Sequence, residues 1–359
     1  MKFAKLLSLL AATVALPATA EELRVFNWAD YIGETTIADF EAETGIKVIY
    51  DPYDSIETLE TRILAGGSGY DVAVASASSV QRFIQAGLLV PLDKDQLENL
   101  GNLSPKINER LAAYDESNAH AVPYMWGTVG LGFNIAKVEE VLPGADMSDL
   151  ATFFDPENAA RLGECGLVAL DSPNEMFGVS LSYLGFSPET DNKDEIAAAT
   201  ALLEGVAPHI RYFSNVKHID DLATGEICAA FAYSGDASIA AYAASEAGNG
   251  IELAYAIPKQ STLIWIDALT ILADAPNADA ATKFVDYMMR PDVIAAATNY
   301  LYYANGNDAA FDLVDPEITD DPNIYPSAEV IEGLFADVAL PNKAQRMRTR
   351  AWTKITTGN

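Results

Sequence analysis

Acidic and aromatic side chains recur as neighbours along this chain: Trp28 with Asp30 and Tyr31, Tyr233 with Asp236, and Trp265 with Asp267. A further aromatic pair, Tyr302 with Tyr303, follows them. The combination suits an organic cation whose ammonium groups are joined by methylenes. Carboxylates give the nitrogens charge-assisted hydrogen bonds, and flat rings cover the methylenes while turning π faces to the charge. One cation–π contact is worth about 0.5–2 kcal/mol depending on desolvation, so only several together decide binding. Taken singly, an aromatic beside a strand is most often core, and an aspartate after a strand is most often a turn or helix cap. The repetition carries the reading.

Such side chains need a scaffold. From Leu23 to Ala75 the sequence alternates apolar strands (Leu23 to Asn27, Ile46 to Tyr50, Asp71 to Ala75) with helical spacing through Ile37 and Phe40, then Ile56, Leu59 and Ile63. Gly45 and the Gly66-Gly67 pair stop the helices. This βαβαβ order predicts an α/β lobe with parallel strand pairs, whose ligands bind beyond the carboxyl ends of the strands. Trp28, Asp30 and Tyr31 follow the first strand there, and Ser76 and Ser78 follow the third. A second alternating region has apolar strands at Leu167 to Leu170 and Ile227 to Tyr233, and a later strand is expected at Trp265 to Leu272. The Pro-containing stretches Pro123 to Gly127 and Ala256 to Lys259 read as crossings between two lobes.

Length and charge agree. A chain of 359 residues exceeds what one core usually serves. Lys2 and Lys5, the apolar run Leu6 to Leu16 and Ala18-Thr19-Ala20 read as an export signal over residues 1–20. The expected division is then 21–126 plus 256–303 for the first lobe and 127–255 plus 304–359 for the second. With 22 basic and 52 acidic residues the net charge is −30. Nucleic acid and anionic membrane are poor partners for that surface. The global charge reads as a solubility feature, so particular carboxylates must carry any ligand argument. Two cysteines, Cys165 and Cys228, in an exported chain read as a disulfide.

The stretch VFNWADYI from Val25 and the run from Phe40 to Ser78 resemble the periplasmic polyamine-binding proteins of putrescine and spermidine ABC transporters. So do VPYMWGTVGLGFN from Val122, RPDV from Arg290, YYANGN from Tyr302 and RTRAWTKI from Arg348. The resemblance spans the exported chain and is nearest the putrescine-type branch. It implies an α/β, two-lobed type II periplasmic binding fold with a ligand cleft between the lobes, no enzymatic activity, no cofactor, a monomer, and delivery to a membrane permease. Carried over by position, the ligand aromatics are Trp28, Tyr31, Tyr233, Trp265 and Tyr303. The ammonium-binding carboxylates are Asp30, Glu175, Asp236 and Asp267, with Ser76 on the first-lobe wall. The Cys165–Cys228 pair matches a disulfide of the putrescine-type members.

Departures from the family fall where ligand choice is made. Ala29 stands at a position usually held by a hydroxyl residue, Tyr233 replaces a common tryptophan, and Trp265 is the bulkier aromatic of spermidine-type members. Asp337 is an added candidate for a further ammonium. Together these lean slightly toward the triamine. Two rival readings remain: Tyr302-Tyr303 as a ferric-ion signature, and Asp236 with Asp267 as a glycosidase acid–base pair. His120, His209 and His218 have no helical metal spacing and read as structural. Arg346, Arg348 and Arg350 read as salt-bridge formers on an acidic protein, with permease docking as the rival.

Overall fold

A computed structural model describes residues 21–336 and 340–358; the 1–20 signal reading and the candidate Asp337 lie outside them. Among the described residues there are eleven strands: β1 Glu22–Trp28, β2 Lys47–Tyr53, β3 Val72–Ser76, β4 Ala121–Asn134, β5 Leu167–Ala169, β6 Ile210–Phe213, β7 Ala229–Tyr233, β8 Leu253–Ala256, β9 Leu263–Ile271, β10 Ala304–Asn305 and β11 Phe335–Ala336. Their order is β2-β1-β3-β9-β4-β7-β5-β6, with β10 and β8 also on β4 and β11 on β9. The expected parallel pairs are there: β1 runs parallel to β2 and to β3. Gly45 ends the Thr36–Thr44 helix in the left-handed conformation, a turn that glycine makes without a Cβ clash.

The sheet is divided by what β4 pairs with. Its first half, Ala121 to Thr128, pairs with β9, and its second half, Val129 to Asn134, pairs with β7 and β8. The stretch Pro123 to Gly127, expected as an extended crossing between the lobes, lies inside this one continuous strand, with a register shift between Pro123 and Met125 absorbing the proline. Two cores flank the change. One packs Leu23, Phe40, Val72, Phe83, Met125 and Phe284; the other packs Val129, Phe153, Leu167, Phe177, Leu203 and Phe231.

The tail departs from the expected division. Ala304, Ala310, Val314, Ile318, Ile324 and Leu334 belong to the first core, while Phe335, Leu340 and the Asn342–Thr357 helix, through Ala344, Trp352 and Ile355, pack on the second. The reason is local: β10 pairs with the first half of β4, through Trp126 and Met125, and carries the following segment with it. Cys165, at the end of the Pro156–Cys165 helix, is bonded to Cys228 just before β7.

Arg348 is not the surface cation expected from sequence. It is buried in the second lobe, where its guanidinium donates to the carbonyls of Pro188 and Thr190 at 2.8 and 3.0 Å. Arg346 and Arg350 are exposed on the same helix, and the described residues show no ion pair for them, so the salt-bridge expectation does not hold.

Candidate functional site

Between the two cores lies a cleft of about 400 Å³. Ten of the sequence-derived candidates line it: Trp28, Asp30, Tyr31, Ser76, Glu175, Tyr233, Asp236, Trp265, Asp267 and Tyr303. Seven of them arrive by three routes, while Ser76 and Tyr233 end β3 and β7 and Tyr303 precedes β10.

The first is a strand face. Side chains alternate along a strand, so Trp265 and Asp267 share one face of β9. Both were expected at a strand end; they sit in its middle, and Asp267 is opposite Ser76 of β3 on one side and Met125 of β4 on the other. The second route is the loop after β1, which carries Trp28, an exposed Asp30 with positive φ of 52°, and a buried Tyr31. The third is the helix start. Glu175 is the third residue of the Pro173–Tyr183 helix and Asp236 the third of the Ser234–Ala247 helix. A carboxylate in the first turn gains from the helix dipole.

Rings form a continuous row. Tyr31 meets Tyr303 edge-on at 5.5 Å, Tyr303 meets Trp265 at 5.2 Å, and Trp265 meets Tyr233 at 6.1 Å. Edge-to-face packing of this kind adds about 0.5–1.5 kcal/mol per pair beyond area burial. Two glycines make room for it. A Cβ on Gly127 would lie 2.5 Å from Trp265, and one on Gly235 would lie 2.5 Å from the Tyr303 ring.

Acids stand along the row. Asp267 and Asp236 are each 7% exposed and Glu175 is 5% exposed. Burial pushes the Asp267 carboxyl up to about 7, opposed by the Tyr31 hydroxyl and the Trp28 indole. Those two donors lie near enough to act on the charge but complete no hydrogen bond of good geometry. Asp236 is better held: the Tyr303 hydroxyl donates to Oδ1 at 2.5 Å, and His218 Nε2 lies 3.1 Å from Oδ2. Glu175 accepts from the Ser172 hydroxyl and, at 3.4 Å, from the Tyr233 hydroxyl. Burial first, and the neighbouring carboxylates second, hold the Tyr31, Tyr233 and Tyr303 phenols well above their ordinary range, so all three remain neutral.

The arrangement offers buried negative charge and apolar walls. No Lys or Arg is paired to Asp267 or Asp236 among the described residues. Ser76 is more occupied than sequence suggested, because its hydroxyl caps the Ala77–Gln85 helix and donates to the Ser79 hydroxyl. His218, read from sequence as structural, is buried against Asp236. Nothing in its own surroundings in sequence marks it. His120 has a local role, 2.9 Å from Asp115.

The ferric reading gains nothing. Tyr302 adopts a left-handed conformation, φ 58°, that separates the two rings: Tyr303 lines the cleft while Tyr302 lies 5.7 Å from Tyr242.

Residues 35–326 match the bacterial extracellular solute-binding protein family. The chain is 42% identical over 354 residues to the putrescine-binding periplasmic protein PotF of Escherichia coli, covering 98% of this chain and 96% of that one. It is 45% identical over 353 residues to the putrescine-binding periplasmic protein SpuD of Pseudomonas aeruginosa, covering 97% and 96%. Among solved structures, a chain from Listeria monocytogenes superposes with a TM-score of 0.85 at 30% identity, covering 95% of this chain and 100% of that one. PotD, the spermidine/putrescine substrate-binding protein of Streptococcus pneumoniae, superposes at 0.78 with 25% identity, covering 94% and 99%. These relatives are binding proteins rather than enzymes, which leaves the glycosidase reading without support. The chain belongs to the bacterial extracellular solute-binding proteins, in the periplasmic polyamine-binding family of ABC transporters, and has their two-lobed type II fold.

Proposed function

We propose that the protein captures an alkyl polyamine in this cleft, in the periplasm, and hands it to an ABC permease. The observation that carries this is the pairing of two buried carboxylates, Asp267 and Asp236, which have no Lys or Arg partner among the described residues, with the row Tyr31, Tyr303, Trp265 and Tyr233. A neutral or anionic ligand would leave those acids buried without a counter-charge, at a cost of several kcal/mol. Ammonium groups take the carboxylates and the methylenes lie against the rings. Trp28, Asp30, Glu175 and Ser76 complete the wall.

Chain length is where sequence and relatives pull apart. Trp265 leans toward spermidine, whereas the relatives at 42% and 45% identity carry putrescine in their names, and relatives at 30% carry putrescine with cadaverine or with spermidine. The weight of identity makes putrescine the first candidate. Isothermal titration of residues 21–359, freed of ligand by unfolding and refolding, with putrescine, cadaverine, spermidine and spermine tests both points. Tight binding of one amine supports the reading; silence toward all four in correctly refolded protein overturns it.

Delivery has its own support. On the Asn342–Thr357 helix, Gln345 and Thr349 line the cleft, while Lys343, Arg346, Arg350 and Lys354 are exposed along the adjoining face. This is a basic stripe at the rim of an acidic protein, suited to acidic permease loops. Reversing these charges should abolish putrescine uptake by cells while leaving the titration unchanged. Undiminished uptake would remove the stripe from the docking surface.

A further inference from the structure

His218 stands outside the cleft lining and touches no ligand position, yet it is 0% exposed and makes its polar contact with a cleft carboxylate. We infer that His218 is the positioning residue for Asp236, aiming its carboxylate at an incoming ammonium without cancelling its charge.

The two ring nitrogens differ. Nε2 is 3.1 Å from Asp236 Oδ2, while Nδ1 is buried with no partner. An ionised carboxylate only accepts, so the bond requires the proton on Nε2, and Nδ1 is left as a bare acceptor. A lone neutral acceptor is cheaper to bury than an unmet charged N–H. The ring therefore acts as a neutral donor. Its surroundings are consistent with that: His218 begins the His218–Ala223 helix, whose Leu222 and Ala223 pack with Val168, Ala230, Ala232 and Ala240. The neighbouring Lys217 is exposed and paired with Asp221.

The choice of a neutral donor matters. A lysine or arginine in this place would orient Asp236 equally well and neutralise it, opposing a cationic ligand. The imidazole on Oδ2 and the Tyr303 hydroxyl on Oδ1 fix the plane of the carboxylate from two sides and leave its negative charge to the cleft. Each oxygen keeps a lone pair for the ammonium.

The inference rests on Asp236 meeting an ammonium group. Titration of putrescine into H218L, H218Q, D236N and the H218L/D236N double variant tests it. H218L should weaken binding about tenfold or more, the range expected for a lost hydrogen bond to a charged group. H218Q, which retains an amide donor, should recover most of the loss. In the D236N background the leucine should add little, because the carboxylate charge that His218 aims is gone. Thermal unfolding should show H218L no less stable than wild type. With three histidines in the sequence, the nitrogen-15 spectrum can assign His218, and the proton should be on Nε2.

Binding by H218L within twofold of wild type, or a proton on Nδ1, would overturn the inference. So would an equal loss in the wild-type and D236N backgrounds. A D236N protein that binds putrescine like wild type would instead sink the site assignment itself. Normal H218L beside a crippled D236N removes only the role of His218.

Discussion

The two walls of the cleft prepare their acids differently. On the first-lobe side, Asp267 sits mid-strand between β3 and β4, with burial pushing its carboxyl up to about 7 and two nearby donors that complete no bond. On the second-lobe side, Asp236 and Glu175 each occupy the third position of a helix and each have side-chain hydrogen-bond partners, Tyr303 and His218 for Asp236 and Ser172 and Tyr233 for Glu175. The second wall holds its carboxylates as acceptors before any ligand arrives. The first wall leaves its acid under-solvated, so that a bound cation supplies what the protein does not. Binding of a cation should then draw a proton off Asp267.

The comparison breaks most visibly at Asp236. D236N should weaken putrescine by about 30-fold to 5000-fold at pH 8, the range for removing one partner of a buried charge pair; titration calorimetry measures it, and a loss below tenfold would deny the second wall its role. D267N should weaken binding somewhat less, with a loss that depends on pH. Wild-type affinity should rise with pH through 7 and level off above, while D267N stays flat.

At pH 7 the wild type should release about half a proton per ligand, since a carboxyl with a pKa of about 7 is half protonated there. Calorimetry in buffers of different ionisation heat reads this directly, and no proton release at pH 7 would refute the contrast between the walls. The same shift acts on stability. The folded value is raised above 3.8, so the empty protein binds an extra proton relative to the unfolded chain. Stability is therefore lost as pH rises from about 4 to about 7. D267N should remove that slope in Tm, and putrescine should reduce it in the wild type.

Smaller effects sharpen the picture. W265A should cost about threefold to thirtyfold in affinity, the scale of one cation–π contact. It should also change the ratio of putrescine to spermidine binding; equal losses for the two would remove Trp265 from ligand choice. Replacing Cys165 and Cys228 by serine should leave affinity within twofold, because the bond closes a 63-residue loop inside the second lobe. The same change should lower unfolding stability by about 4 kcal/mol in denaturant titration.

Sequence showed the acid–aromatic pairs because each is local: Trp28 with Tyr31, Tyr233 with Asp236, and Trp265 with Asp267 are within a few residues of each other. Strand alternation and turn glycines likewise gave β1 to β3 to within a few residues. The state of each acid was not legible. Asp267 and Asp236 look alike in sequence, and their difference comes from β3 and β4 on one side and from His218 and Tyr303 on the other. Arg348 misled for the same reason, since its carbonyl partners at Pro188 and Thr190 are some 160 residues away. The tail was misassigned because β10 is only two residues long, too short to announce itself by pattern.

Strand β4 is shared by both lobes, pairing with β9 over its first half and with β7 and β8 over its second. A single cut in the chain cannot separate the lobes into modules, for whichever fragment loses β4 loses an internal strand of its own sheet. Chimaeras that graft one lobe onto a relative must therefore carry their junctions through the middle of β4, near Thr128, rather than at a loop. Ligand preference in this lineage is better exchanged residue by residue along the cleft than by swapping halves.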